Sequence, residues 1–373
     1  MFIFLLIVII IALVLEWLSL RNPLGQVSYR LEPSKRSVEP GEEFLLRTVI
    51  ENASPYHVPY LYVEEDLPSV VQIEQDRQLK FESFGKVVRL KNTMFIRKHQ
   101  RVRRNMPAVI YKRGICYFKK ANLIVGDFLG LVEKEKQVEQ NRSVVVYPGR
   151  LEDERLTQVL SDIMGNISVR SFLHEDPILV MSYRDYTGRE PLRSISFPMT
   201  AKRNQLTVKE FDHTREEMVD IIFDVSYKGE FERHFDQMEA MFCVVRTLCE
   251  YFENRGVCYR LITNAYYATV DVHGVNVLQS GGSGGREFLK IMEILGMSSG
   301  SSMCKTEELL QTALQGFSGE KELVYVSQRR EPETAAIVKS MERSYGAELH
   351  CIYGEDYEEL YREECRKREE KTR

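Results

Sequence analysis

Met218-Val219-Asp220-Ile221-Ile222-Phe223-Asp224-Val225-Ser226 is the stretch on which the reading of the fold turns. A short run of β-branched and aromatic residues that ends in an acid and a hydroxyl has the composition of a buried parallel strand, with polar groups at its carboxyl end. In open α/β sheets, ligands collect outside the carboxyl ends of the strands.

The residues that follow alternate between helical and extended patterns. Phe235, Met238, Phe242, Val245, Cys249 and Phe252 recur at three- and four-residue intervals, an apolar helix face that stops at Asn254 to Gly256. Cys258–Thr263 reads as the next strand, with Tyr266–Val272 folding back beside it. Arg286–Leu295, Thr306–Leu314 and Glu333–Tyr345 read as helices, and Glu322–Ser327 and Ala347–Tyr353 as strands. Strands separated by helices imply a parallel, doubly wound sheet over residues 216–354. The remainder, 355–373, is a charged helix with pairs such as Glu358–Arg362 and Glu364–Arg368.

At the other end the chain opens with MFIFLLIVIIIALVLEWLSL, residues 1–20. Twenty helical residues span about 30 Å, the thickness of a bilayer core, so this segment is expected to be a transmembrane helix. Arg21, Arg30, Lys35 and Arg36 follow it and nothing basic precedes it, which by the positive-inside rule makes the protein a single-pass cell-membrane protein with its bulk in the cytoplasm. Seven scattered cysteines without a C-x-x-C pair agree with a reducing compartment. At 373 residues, 43% hydrophobic and 28% charged, the chain is globular and long enough for more than one core.

Residues 25–148 carry short alternating segments broken by turns, expected as a β-sandwich-like module. Phe44–Ile50 follows a Pro40-Gly41 turn, Tyr60–Val63 is a second strand, and Phe95–Val102, Ile115–Phe118 and Val144–Tyr147 are others. Between Glu82 and Asp127 there is no acid, while Lys86, Arg89, Lys91, Arg97, Lys98, Arg101, Arg103, Arg104, Lys112, Arg113, Lys119 and Lys120 are basic. A field of one sign attracts polyanions. The stretch 86–120 is therefore either a neutralised strand face or a surface for anionic lipid, a partner or nucleic acid, although nucleic acid is not the expected partner.

Lys112-Arg113-Gly114-Ile115-Cys116-Tyr117, Gly126-Asp127-Phe128-Leu129-Gly130-Leu131 and Val145-Val146-Tyr147-Pro148 precede a central motif, over residues 178–215. That motif is made of Arg184, Tyr186, Gly188, Arg193, Ile195, Ala201, Lys202, Leu206, Val208, Lys209 and Glu210. In this order the elements resemble the bacterial domain-of-unknown-function-58 family. Ser194–Phe197 and Gln205–Lys209 alternate as paired strands do. Arg184, Arg189, Arg193 and Lys202 of the motif, with Lys228 beyond it, are the candidate partner-binding residues, since guanidinium forks suit carboxylate and phosphate. A structural ion-pair network with Asp185, Glu190, Glu210 and Asp212 is the alternative.

The second half is also similar to a von Willebrand factor A-like domain, whose first strand ends in an Asp-x-Ser-x-Ser motif holding Mg²⁺. Asp224 and Ser226 match the first two ligands, and Thr263 is placed to supply a loop hydroxyl. Lys228 stands at the third ligand position and Ser327 where the pattern has a later acid, so the site is degenerate and no cofactor is expected. Without metal, Lys228 neutralises Asp224 and Ser226 caps the following helix. Ser280–Gly285 lacks the Gly-Lys-Ser/Thr of a phosphate loop, and no G-x-S-x-G elbow is present.

The expected fold class is thus α/β, with an N-terminal transmembrane helix, a β-sandwich-like module and a doubly wound von Willebrand A-like domain. The expected role is that of a membrane-anchored, non-enzymatic adaptor. The family resemblance implies a MoxR-type AAA ATPase as partner and envelope complexes as the setting. Two alternatives stay open: an anionic-lipid or nucleic-acid binder through 86–120, and a hydrolase with an unrecognised site.

Overall fold

The computed structural model describes residues 24–73, 80–126, 133–173, 180–187, 194–211, 218–226, 235–267, 274–280, 285–315, 317 and 321–370, with Phe4 and Ile10. The chain forms two compact units. The first comprises Met1–Gly149, Glu293–Met297 and Glu363–Arg373, and the second Arg150–Met292 and Ser298–Arg362.

The strands of the first unit are β1 (Val27–Pro33), β2 (Ser37–Val38), β3 (Glu43–Asn52), β4 (Val58–Pro68), β5 (Val71–Ile73), β6 (Lys80–Phe84), β7 (Val87–Ile96), β8 (Arg101–Ile110), β9 (Gly114–Gly126) and β10 (Glu133–Val146). They make one sheet in the order β1-β3-β8-β5 and another in the order β2-β10-β9-β4-β7-β6. All pairs are antiparallel except the short β2–β10 pair. Alternation puts one side of each strand into a shared core: Leu46 and Ile50 of β3 and Ile110 of β8 cluster with Leu61 and Val63 of β4 and Phe118 of β9. Phe95–Val102, read as one strand, is instead the end of β7 and the start of β8. The intervening turn passes the chain between sheets, with His99 at φ 51°. Buried Asn52 fixes that crossing by donating from Nδ2 to the carbonyls of Tyr56 (2.9 Å) and Arg97 (3.0 Å).

A charged knot crosses this apolar core. Glu65 of β4 is 2% exposed; its Oε1 accepts from Tyr29 Oη at 2.8 Å and Thr48 Oγ1 at 2.9 Å, and its Oε2 from Arg104 Nη2 at 2.6 Å. A carboxylate removed from water is tolerable only when paired and hydrogen-bonded, and here all its partners come from the facing sheet. The open edge of β1 is covered by side chains of β10. Gln140 donates from Nε2 to Tyr29 O and accepts at Oε1 from Leu31 N, each at 3.3 Å, and Lys136 Nζ donates to Val27 O at 3.3 Å.

The second unit begins with α1 (Glu154–Leu173), a helix absent from the sequence reading, which buries Leu156, Leu160, Ile163 and Ile167. Just before it, Asp153 Oδ1 accepts from Arg155 N at 2.6 Å, satisfying one of the first-turn donors. Next come β11 (Val180–Asp185), α2 (Phe197–Arg203), β12 (Thr207–Phe211), β13 (Met218–Phe223), α3 (Phe235–Asn254), β14 (Cys258–Thr263), β15 (Ala265–Tyr267) and β16 (Asn276–Ser280). They are followed by α4 (Arg286–Met297), β17 (Ser298–Ser302), α5 (Thr306–Leu314), β18 (Glu322–Ser327), α6 (Pro332–Tyr345), β19 (Leu349–Tyr353) and α7 (Glu358–Glu370), the ends of α4 from Glu293 and of α7 from Glu363 being assigned to the first unit. A five-stranded sheet runs β16-β14-β13-β18-β19. Ile222, Ile262 and Tyr325 on it pack with Leu309 and Leu310 of α5 and Val338 of α6. Phe223, pointing the opposite way from Ile222, meets Phe242 of α3 edge-on at 4.9 Å.

The expected fold class is corrected here. Among the described residues strand exceeds helix, and the first unit's two sheets account for much of it. The five-stranded sheet of the second unit is mixed rather than all parallel: β16 runs antiparallel to β14. Tyr266, read as folding back beside β14, belongs to a separate antiparallel pair of β15 with β17. A doubly wound von Willebrand A-like domain is therefore not retained. The anchor placed on residues 1–20 lies outside the described residues apart from Phe4 and Ile10, and among the described residues no helix is long and apolar enough to cross a membrane. The two twenty-residue helices are interrupted by charge: Glu154, Arg155, Asp162 and Arg170 in α1, and Asp236, Glu239, Arg246, Glu250 and Glu253 in α3. The single-pass membrane placement is withdrawn with the anchor.

Glu65→Ala is expected to cost about 3–5 kcal/mol in urea unfolding, because it strands the Arg104 guanidinium inside the sandwich. A second expectation concerns His350 of β19. Its Nε2 lies 3.1 Å from Glu322 Oε2, and that hydrogen bond raises its pKa against the opposing effect of burial. The charges of Glu322, Glu348 and Asp162 push in the same direction as the bond. A raised folded-state pKa gives stability that is fully present below the ordinary histidine value of about 6.5 and lost as pH rises through the higher folded value. Urea midpoints should therefore fall between mildly acidic and mildly alkaline pH, and His350→Gln should flatten that dependence.

Candidate functional site

Asp224 follows the central strand β13, which is parallel to both β14 and β18, so its carboxylate lies at the carboxyl ends of neighbouring parallel strands. It is 1% exposed and its backbone N–H donates to Val326 O at 2.9 Å. Four donors converge on the side chain. Oδ1 accepts from Asn264 Nδ2 at 2.8 Å and Ser226 N at 2.9 Å; Oδ2 accepts from Thr306 Oγ1 at 2.6 Å and Tyr325 Oη at 2.8 Å. Thr306 opens α5, whose N-terminal end favours a negative charge. Asn264 ties the loops together: its Nδ2 also reaches Ser226 Oγ (2.9 Å) and Cys304 O (3.2 Å), and its Oδ1 accepts from Val225 N (3.0 Å).

This arrangement decides what the tip can do. An ionised carboxylate has about four lone-pair sites, and all four are used by protein donors. Thr263 Oγ1 accepts from Ala265 N at 3.1 Å, and Ser226 Oγ accepts from Asn264. The oxygens of Asp224, Ser226 and Thr263 therefore form a hydrogen-bonded knot in place of the open oxygen shell that Mg²⁺ requires, and the residues do not fit that ion. Among the described residues no group of three or more His, Cys, Asp and Glu is placed to hold a metal. The cleft in front, lined by Asp224, Ser226, Ser327, Gln328, Arg329 and Glu331, has room for about one water molecule. Cys304 is a poor nucleophile, because burial and the charges of Glu308 and Asp224 push its thiol up to about 11. Burial and Asp224 likewise raise the Tyr325 phenol, keeping it a donor.

Asn264, Thr306 and Tyr325 were not among the residues expected at this site. Asn264 carries a signal, as a polar residue immediately past the buried strand Cys258–Thr263, whereas Thr306 is distant in sequence and converges only through the fold. The hydroxyl of Ser226 is engaged by Asn264, and residues 227–234, between Ser226 and the described part of α3, lie outside the described residues. Lys228 lies outside the described residues.

Of the partner-binding candidates, Arg184 on β11 and Lys202 on α2 are exposed, and Arg189 and Arg193 lie outside the described residues. β11 and β12 pair antiparallel with α2 between them in sequence. Ser194–Phe197 is not a strand: Ile195 keeps a single bridge to Val208, and Pro198 sits in the first turn of α2, where its missing N–H costs nothing. Asn204 closes that helix in the left-handed conformation at φ 57°. The turn is held by Ser196 N to Thr207 O (2.9 Å), Thr207 N to Thr200 Oγ1 (3.0 Å) and Arg203 Nη1 to Tyr183 O (3.2 Å). It leaves Phe197 74% and Leu206 49% exposed on the same element as the exposed side chains of Arg184, Lys202 and Arg203.

No protein-family model and no curated protein matches this chain. Solved structures that match include the CARDB domain of the PF1109 protein from Pyrococcus furiosus, at 14% identity, covering 32% of this chain and 91% of that one with a TM-score of 0.20. A cohesin module of a family 33 glycoside hydrolase from Clostridium perfringens matches at 14% identity, covering 32% of this chain and 96% of that one with a TM-score of 0.22. Spo0M, a sporulation control protein from Bacillus subtilis, matches at 11% identity over 39% of this chain and 56% of that one, TM-score 0.20. Scores of this size establish neither a shared fold nor a shared role.

Asp224→Ala should lower stability by about 3 kcal/mol or more in urea unfolding, since it leaves buried donors from Asn264, Thr306 and Tyr325 unsatisfied. Millimolar Mg²⁺ should leave the wild-type midpoint where it is, because a cation bound only by the folded state would raise it.

Proposed function

We propose that this protein is a non-enzymatic adaptor that docks an acidic protein partner on the β11–α2–β12 element. The observation that carries this reading is the solvent exposure of Phe197 and Leu206 on an element that also exposes the cationic side chains of Arg184, Lys202 and Arg203. Two large apolar side chains held in water on an element that also carries exposed cationic side chains form a small hot spot with a charged rim, the usual anatomy of a protein-binding centre. Lys202 has no ion-pair partner among the described residues, so its charge remains available to a carboxylate.

The family resemblance of the same segment gives the class of partner, a MoxR-type AAA ATPase, with the protein acting in the assembly or maturation of complexes. The closed, fully hydrogen-bonded tip at Asp224 supports a scaffolding role for the sheet over a reactive one.

Phe197→Ser with Leu206→Ser, and separately Lys202→Glu, should each weaken binding to the MoxR-type ATPase of the same organism by about tenfold or more in a purified binding assay. All three side chains are exposed, so unfolding midpoints should move by no more than about 0.5 kcal/mol. Undiminished binding by both variants, or no binding of that ATPase by the wild type, would refute the reading.

A further inference from the structure

The basic stretch is not uniform once its partners are known. Arg89 pairs with Asp66 at 2.7 Å, Lys91 with Glu82 at 2.6 Å and Arg104 with buried Glu65 at 2.6 Å. Those cations are neutralised within the sandwich and its strand faces. Lys119 and Lys120 of β9 are exposed and have no ion-pair partner among the described residues, and the same is true of Arg142 on the adjoining β10. All three line one concavity.

That concavity has a local cause. The β9–β10 register runs in step from Glu133 to Glu139 and resumes at Arg142, which faces Phe118, so Gln140 and Asn141 together oppose Lys119. Such a bulge bends the strand and re-aims its side chains. Gln140 is turned to the β1 backbone, where it holds Tyr29 O and Leu31 N, and a groove of about 720 Å³ opens alongside. Its lining includes Tyr117, Lys119, Lys120, Glu139, Asn141 and Arg142, with buried Phe118 beneath. The volume is that of a small-molecule site. Tyr117 is 46% exposed, and Lys119 Nζ stands 6.0 Å from its ring centroid.

We propose that the bulge groove of β9 and β10 binds a compact phosphate-bearing ligand, gripped by Lys119, Lys120 and the Arg142 fork, with the Tyr117 ring as a platform for any planar group it carries. Three cations against the single acid Glu139 leave the groove positive, and ammonium and guanidinium together suit a di- or triphosphate. A nucleoside triphosphate and inorganic polyphosphate share that chemistry, and the ring distinguishes them. This site lies outside the adaptor surface and does not depend on it.

The test is calorimetric titration of the full chain with ATP and with inorganic triphosphate at low salt. The combined variant Lys119→Gln, Lys120→Gln, Arg142→Gln should weaken both probes on the order of 100-fold, since each loses charge-assisted hydrogen bonds. Arg103→Gln, on the other sheet, should leave both unchanged. Tyr117→Ala should weaken ATP alone if the ligand is a nucleotide and neither probe if it is inorganic polyphosphate; either result supports the site. Arg142→Lys, which keeps the charge and loses the fork, should fall between wild type and the triple variant, and separates loss of binding from loss of folding. The proposal is overturned if neither probe binds the wild type or if the triple variant binds as tightly as wild type. It is also overturned if a single-stranded oligonucleotide binds more tightly than both with a steep salt dependence.

Discussion

The second unit depends on a buried negative charge being fully compensated. Asp224 holds a carboxylate at 1% exposure, an environment that would be prohibitive without close donors. The donors come from the loop after β14, the start of α5, the middle of β18 and the residues just past β13 itself. Each hydrogen bond is therefore also a tether between consecutive pieces of the unit, and the carboxylate ends of the parallel strands cannot move independently. Rigidity at the tip is obtained at the cost of reactivity, because the lone pairs that catalysis or a metal would use are already occupied.

The first unit meets the same constraint by a different route. Its two sheets share an apolar core, yet Glu65 and Arg104 meet inside it with Tyr29 and Thr48 as auxiliary donors. A pair of this kind adds little net stability over an apolar replacement, but it penalises any register in which the sheets slide by a residue. The charges of the acid-free stretch thus fall into two groups. Those facing acids on neighbouring strands serve the sandwich, and those beside the β9–β10 bulge are left for solvent or ligand.

Legibility in the sequence followed the length scale of the physics. The apolar run of β13 and the three- and four-residue spacing of α3 are strong local signals, and both elements are where their patterns place them. The partner of β14 is not legible locally: Tyr266–Val272 reads as the segment folding back beside it, whereas the strand that pairs with β14, antiparallel, is β16. Phe95–Val102 carries no glycine or proline to mark the turn, which is instead made with His99 at positive φ. Helix α2 was hidden by Ser194–Phe197, whose alternation outweighed the Pro198 signal beside it. At the tip, Asp224 and Ser226 were visible, while the long-range donors Thr306 and Tyr325 were not, because spatial convergence leaves no spacing to read.

The covered side of β1 has a consequence for how the sandwich behaves among copies of itself. A strand at the margin of a sheet offers unpaired amides that can recruit another chain and seed fibrous or domain-swapped assemblies. Here Gln140 and Lys136 occupy the outward carbonyls of Val27 and Tyr29 and the N–H of Leu31, so that template is spent intramolecularly. The opposite margin of the same sheet is β5, only three residues long. The bulge that opens the groove thus also places the glutamine that occupies this sheet's outer edge.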